Sequence, residues 1–181
     1  MSISERSDRF TNELEAIGAE TSPLDTAAAF LRCIFDTKAA HVVTLALDVT
    51  ERWFERPHDA VIWASAQRLA RQGTNPAVTV VQADLRSRGQ LTREVQHRLL
   101  ALAVEPFQAL PGQLAPLRRA LAAEAFARRF EEGTRALHED APRMTQAEKA
   151  RRYAELGREL RALDNASQSR SASPSLTEVP A

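Results

Sequence analysis

Two short helical patterns, each ending at a glycine, constrain the fold of this chain more than any other feature. They lie between Trp53 and Leu91, in the sequence WFERPHDAVIWASAQRLARQGTNPAVTVVQADLRSRGQL. Pro57 suits the first turn of a helix, where a missing N–H is tolerated and the fixed φ is already helical. Gly73 and Gly89 suit the left-handed position just after a helix, which glycine adopts without a steric penalty. The stretch therefore predicts two helices joined by a tight turn.

Apolar residues within this stretch recur at the spacing of helices that bury one face. The first helix carries Ile62 and Leu69 and the second carries Leu85, and we expect all three in the core. Trp53 and Phe54 precede the first helix as an aromatic pair. Because aromatic side chains bury large apolar areas, this pair is predicted to anchor the core.

Side chains that cap helices mark where several helices begin. The expected caps are Asp25 or Thr26 for the first helix, Thr74 or Asn75 for the second glycine-ended helix, and Thr92 for the helix that follows. Residues 39–49 are rich in β-branched side chains, which leaves a strand open there as an alternative to a helix.

Two long amphipathic patterns near the C-terminus predict a helical hairpin. The first covers Gln113–Glu139, and the second starts at Thr145 and runs to about Leu163. Glu148 stands three residues after Thr145, which is the spacing of a capping box. Gly133 interrupts the first of these helices at a cost of up to about 1 kcal/mol relative to alanine.

The composition agrees with an all-α fold. Aromatic residues are sparse at 6%, and an apolar share of 44% is ordinary, so helices packed through Ala and Leu are favoured over a β-sandwich. We expect a compact domain of about five short helices in residues 24–110, then a long antiparallel helical hairpin in residues 111–164.

Both ends of the chain are polar. Residues 1–23 contain five acidic and two basic side chains, a net charge of −3. A short amphipathic helix around Phe10, Leu14 and Ile17 is one expectation for this N-terminal arm, and disorder is the other. Residues 165–181 are rich in serine and are predicted to form a disordered tail.

The residue content argues against several functions. Formal net charge is zero, with 24 basic and 24 acidic residues, so the global excess typical of a nucleic-acid binder is missing. None of the six glycines is followed by lysine, so the chain has no phosphate-binding loop. The single Cys33 is expected to be a buried apolar residue, and the four histidines lack metal-ligand spacing. We expect no catalytic activity, no cofactor and no metal.

No signal peptide or apolar run of membrane length occurs, which favours the cytoplasm and excludes a membrane partner.

The order of motifs resembles a known family. An aromatic pair, then Arg-Pro-His, two apolar residues, a helix ending in glycine, a short helix and Gly-Gln-Leu is similar to the N-terminal, non-ATPase helical domain of DnaB-type replicative DNA helicases. The resemblance implies a helix rather than a strand at residues 39–49. It also implies a structural role for His58 at a helix start, and self-association through the hairpin.

The resemblance implies a non-catalytic protein–protein interaction module of DNA replication without the ATPase motor. Its partners would be a replicative helicase, a primase, a loader protein or a second copy in a dimer or ring, with DNA binding weak or indirect. The residues expected to bind a partner are Leu121, Phe126, Tyr153, Leu156 and Leu160. The alternative is that these residues only hold the hairpin together.

A second hypothesis is a DNA-binding regulatory protein. The turn at Gly73 lies between two helices, as in a helix-turn-helix. The arginines that would contact DNA are Arg86, Arg88, Arg93 and Arg98. The neutral total charge argues against this function, because phosphate contacts dominate affinity for DNA.

Overall fold

The computed structural model describes residues 25–46, 48–104 and 112–168. These residues form seven α-helices and no strand: α1 Thr26–Phe35, α2 Ala39–Ala46, α3 Pro57–Arg71, α4 Val78–Ser87, α5 Arg93–Val104, α6 Leu114–Asp140 and α7 Gln146–Gln168. Two 3-10 turns, Glu51–Trp53 and Ala141–Arg143, precede α3 and α7. The predicted all-α architecture is confirmed, with five short helices followed by a long antiparallel pair. The strand alternative for residues 39–49 is wrong, because α2 forms there.

Several predictions lie outside the described residues. They concern the N-terminal arm at residues 1–23 and the tail from residue 169 onward. The first four residues of the predicted tail, 165–168, instead form the last turn of α7. Ala166 in that turn is buried, and its carbonyl accepts a hydrogen bond of 3.2 Å from Arg118 Nη1. Contact with α6 therefore extends the hairpin beyond the predicted end.

Glycine ends α3 and α4 as predicted. Gly73 has φ of 78° and Gly89 has φ of 66°, in the left-handed region. The amide that follows each glycine donates back into the preceding helix, from Thr74 to the Leu69 carbonyl and from Gln90 to the Leu85 carbonyl, both at 2.9 Å.

Most predicted caps form, and one does not. Asp25 Oδ1 accepts the Ala27 amide at 3.1 Å, and Thr92 Oγ1 accepts the Val95 amide at 3.3 Å. The capping box also forms: the Thr145 amide donates to Glu148 at 2.8 Å, and the Glu148 amide donates to the Thr145 hydroxyl at 3.3 Å.

The start of α4 differs from the prediction. Ala77 is the N-cap residue there, and no side chain caps it. Asn75 faces a different helix, since its Oδ1 accepts the amide of Ala39, the first residue of α2, at 2.9 Å. Asn75 lies three residues before the start of α4, outside the N-cap position of that helix, and its side chain instead caps α2.

Three aromatic rings form the centre of the core. Phe30 of α1 contacts Trp63 of α3 edge-on, with ring centroids 5.3 Å apart, and Phe54 lies 6.1 Å from Phe30. The Trp63 indole N–H donates to the Val49 carbonyl at 3.1 Å, so the polar atom of this buried ring is satisfied. Trp63 is 1% exposed, yet it was absent from the predicted core.

The residues that were predicted to form the core are buried, with one exception. Trp53, Phe54, Ile62, Leu69 and Leu85 all belong to the core cluster. His58 does not: it is the second residue of α3, and its side chain is 29% exposed. The first turn of α3 faces solvent at this position, so His58 lies at a helix start as expected but outside the core.

The hairpin lies against the core through the first half of α6. Leu114, Leu121 and Ala125 are buried there. Farther along α6 the contact is with α7. A Cβ placed on Gly133 would lie 2.5 Å from Leu156 Cδ1, so the two helices approach each other closely at this point.

None of the helices in the described residues has the length and apolar character needed to cross a bilayer.

Candidate interaction surfaces

One side of the hairpin carries apolar side chains that face away from the core. On α7, Glu159 and Leu163 lie beside Trp53 in the cleft at the core. Since a helix turns about 100° per residue, Tyr153 and Leu160 project on the other side of the line where α7 contacts α6. The same geometry on α6 turns Phe126 and Phe130 by about 100–180° from Leu121 and Ala125, the residues that face the core. We call Phe126, Phe130, Tyr153 and Leu160 the hairpin flank.

The hairpin flank includes two exposed aromatic residues and one contact between aromatic rings. Phe130 is 51% exposed and Tyr153 is 61% exposed. The rings of Phe126 and Phe130 stack one helical turn apart, with centroids 6.4 Å apart and an interplanar angle of 6°. The two rings contact each other, and about half of the Phe130 surface faces solvent.

The five residues predicted to bind a partner divide into two groups. Phe126, Tyr153 and Leu160 belong to the hairpin flank. Leu121 and Leu156 are 1% and 8% exposed and are used in internal packing. These two residues pack inside the hairpin and against the core, as the alternative prediction expected. Phe130 was missed, although its i+4 spacing from Phe126 is visible in the sequence.

A buried ion-pair network joins α1, α3 and α5. Asp59 is 1% exposed, and Arg98 donates to both of its oxygens, from Nε at 2.8 Å and from Nη2 at 3.1 Å. Asp25 Oδ2 accepts from Arg98 Nη2 at 3.0 Å and from Arg56 Nη1 at 2.5 Å. Burial alone would lower the pKa of Arg98, but the two carboxylates raise that pKa above its ordinary value. The network is charge-matched and joins the starts of α1 and α3 to the middle of α5.

A second network joins α3 to α4. Asp84 accepts from Ser65 Oγ at 2.6 Å, from Arg88 Nε at 3.2 Å and from Arg68. Although burial would raise the pKa of the Asp84 carboxyl, the hydrogen bonds from Ser65, Arg68 and Arg88 hold that pKa below its ordinary value. Asp84 is therefore a carboxylate at neutral pH and serves to position the two helices.

The two networks include two of the four arginines that were predicted to contact DNA. Arg88 is paired with Asp84, and Arg98 is largely buried against Asp59 and Asp25. Only Arg86 and Arg93 of the four have no carboxylate partner among the described residues. Two of the four predicted arginines, Arg86 and Arg93, are therefore exposed without such a partner.

Cys33 is buried in the core. Burial raises the pKa of its thiol, and although a hydrogen bond from Thr37 works in the opposite direction, the shift is upward. The side chain is therefore a protonated thiol at neutral pH, the form that is a poor nucleophile and ligand.

Within the described ranges, no three His, Cys, Asp or Glu side chains converge on a position that could hold a metal ion. Comparisons with protein-family models, with curated proteins and with solved structures find no match for this chain.

Proposed function

We propose that this chain is a non-catalytic protein–protein interaction module that associates with a second copy of itself through the hairpin flank. The observations that support this proposal are the stacked pair Phe126 and Phe130 on α6 and the exposed Tyr153 on α7. Aromatic side chains have only two rotatable side-chain bonds, so they lose little conformational entropy on binding, and tyrosine and phenylalanine are enriched at interfaces.

The biological setting is proposed from the motif resemblance. The Arg-Pro-His helix start, the two glycine-ended helices and the hairpin are similar to the N-terminal domain of DnaB-type helicases. By that analogy the module acts in DNA replication, in the cytoplasm, and its other partners are a replicative helicase, a primase or a loader protein. Direct DNA binding is weak or indirect in this proposal, because Arg88 and Arg98 are already paired with carboxylates.

The first test of this function measures the mass of the purified protein by light scattering after size-exclusion chromatography. We expect a dimer or ring of the 20.0 kDa chain. The substitutions Phe130→Asp and Tyr153→Asp should reduce the mass to that of the monomer, because each places a charge in the apolar contact. Ala83→Asp, at an exposed position of α4, is the matched control and should keep the wild-type mass.

A wild-type protein that stays monomeric at every accessible concentration would refute self-association. Circular dichroism of each variant must match the wild type, so that loss of association is not loss of fold. Co-elution with the replicative helicase or primase of the same cell tests the setting separately. If the protein co-elutes with neither, the proposed role in replication is refuted, whereas the proposal of self-association is unaffected.

A further inference from the structure

One face of α5 is left uncovered by the described residues. At about 100° per residue, five positions of this helix fall within an arc of about 100°: Arg93, His97, Leu100, Ala101 and Val104. Leu100 is 54% exposed and Val104 is 80% exposed, whereas Leu99 and Leu102 on the opposite side are buried. We call these five residues the α5 face. Its first half is basic and its second half is apolar.

An open groove lies along the first half of this face. It has a volume of about 850 Å³, and its wall includes Arg56, His58, Arg93 and His97. Glu94 is the one carboxylate of the groove lining. Arg56 and Arg98 are held by Asp25 and Asp59, so Arg93 is the cation of this groove that has no carboxylate partner among the described residues.

The N-terminal arm joins the described chain at this groove. Asp25 is the first described residue, and its carboxylate accepts hydrogen bonds from Arg98 at 3.0 Å and from Arg56 at 2.5 Å. The eight Cα-to-Cα steps from Ile17 to Asp25 can span about 26 Å at 3.3 Å per step. This reach exceeds the length of α5, which is about 18 Å at 1.5 Å per residue.

The arm has the composition that the α5 face would accept. Phe10, Leu14 and Ile17 recur at i, i+4 and i+7, which predicts one apolar face if these residues are helical. Glu13, Glu15 and Glu20 give the same segment an acidic character. The composition of the arm therefore matches a surface that combines exposed apolar side chains with Arg93, which has no carboxylate partner in the described part of the chain.

We propose that residues 10–20 of the arm dock on the α5 face of the same molecule. Phe10, Leu14 and Ile17 cover Leu100 and Val104, and the glutamates of the arm lie toward Arg93. The inference is independent of self-association through the hairpin flank, which lies on α6 and α7.

Disulfide trapping in the full-length chain tests this contact. The pair Leu14→Cys and Leu100→Cys is oxidised at low protein concentration, and the intramolecular product is measured by mass spectrometry. The control pair is Leu14→Cys with Ala123→Cys, an exposed position on α6 next to Glu124, which accepts a hydrogen bond from Thr26. Both target positions therefore lie near the point where the arm joins the described chain, and the buried Cys33 is common to both pairs. Docking should make the first pair react about tenfold faster than the control, as a contact worth about 1.4 kcal/mol would.

Equal rates for the two pairs would overturn the proposal. So would a product linking position 14 of one molecule to position 100 of another, because that result places the arm on a second copy.

Hydrogen exchange gives a second measurement that does not need a new thiol. In the variant Phe10→Asp with Ile17→Asp, the amides of α5 should exchange faster than in the wild type. Ile3→Asp changes the arm outside the docking segment and should leave them unchanged. No difference between the two variants would count against docking even if a disulfide forms.

Discussion

Gly133 shows how a residue that weakens a helix can be required by the packing of that helix. In isolation a glycine in the middle of a helix costs about 1 kcal/mol relative to alanine. Here the absence of a Cβ lets Leu156 of α7 reach the backbone of α6, with 2.5 Å between the position of the missing Cβ and Leu156 Cδ1. The sequence reveals the cost of Gly133 but not its use, because the use depends on how α6 and α7 are aligned.

The substitution Gly133→Ala is expected to destabilise the protein, because the added methyl group overpacks a buried contact at a cost of about 1–3 kcal/mol, which exceeds the gain of about 0.4–1 kcal/mol from replacing a helical glycine. Gly157→Ala is the matched control, because Gly157 is also helical and a Cβ there meets nothing within 4 Å. We expect this control to stabilise the fold by about 0.4–1 kcal/mol. Urea unfolding followed by circular dichroism measures both changes, and equal stabilisation by the two alanines would contradict the packing role.

Helix ends were the part of the secondary structure that could best be predicted. Gly73 and Gly89 define the ends of α3 and α4 because only a local backbone requirement is involved. Thr145 with Glu148 defines the start of α7 for the same reason. The role of Asn75 could not be predicted, since its hydrogen bond joins residues 36 positions apart in the chain.

Asn75 is expected to stabilise α2 from the turn between α3 and α4. Asn75→Ala should cost about 0.5–2 kcal/mol, as the loss of a capping side chain does. Thr74→Ala is the neighbouring control, and as a surface substitution away from such a feature it should change the free energy of unfolding by less than about 0.5 kcal/mol. Thermal unfolding of the two variants tests this assignment. If both variants unfold alike, the hydrogen bond to Ala39 contributes nothing measurable.

At the scale of the whole molecule, the hairpin has a base that contacts the core and a distal half that, within the described residues, packs through contacts between α6 and α7. At the base, Arg118 donates to Asp48 at 2.9 Å, its guanidinium lies 5.9 Å from the centre of the Trp53 ring, and Arg128 donates to the Trp53 carbonyl at 2.8 Å. Beyond Arg129, the buried residues of α6 are Gly133 and Leu137.

This division predicts unequal hydrogen exchange along one continuous helix. Amides of α6 between residues 118 and 128 should exchange only on global unfolding, because they belong to the packed core. Amides beyond residue 133 should exchange faster, through local separation of α6 from α7. Native-state exchange measured by mass spectrometry distinguishes the two halves. A uniform rate along α6 would show that the hairpin opens only when the core unfolds.

The candidate interaction surface was predicted in part. The periodicity of α6 and α7 identifies apolar stripes, and Phe126, Tyr153 and Leu160 were selected from them. Periodicity cannot tell which side of a stripe meets the core, so Leu121 and Leu156 were selected together with them although both are buried. Separating the two groups requires the position of the core, which is a property of the assembled chain.

The aromatic residues that absorb and emit in the near ultraviolet are divided between the two parts of this molecule. Both tryptophans, Trp53 and Trp63, lie buried in the core, and the single tyrosine, Tyr153, lies exposed on the hairpin. Selective excitation of the indoles therefore reports on the core and on the base of the hairpin, where Trp53 lies beside Glu159 and Leu163, whereas absorption by the phenol of Tyr153 reports on the distal hairpin. A ligand that covers only the distal hairpin would alter the phenol absorption and leave the indole emission unchanged.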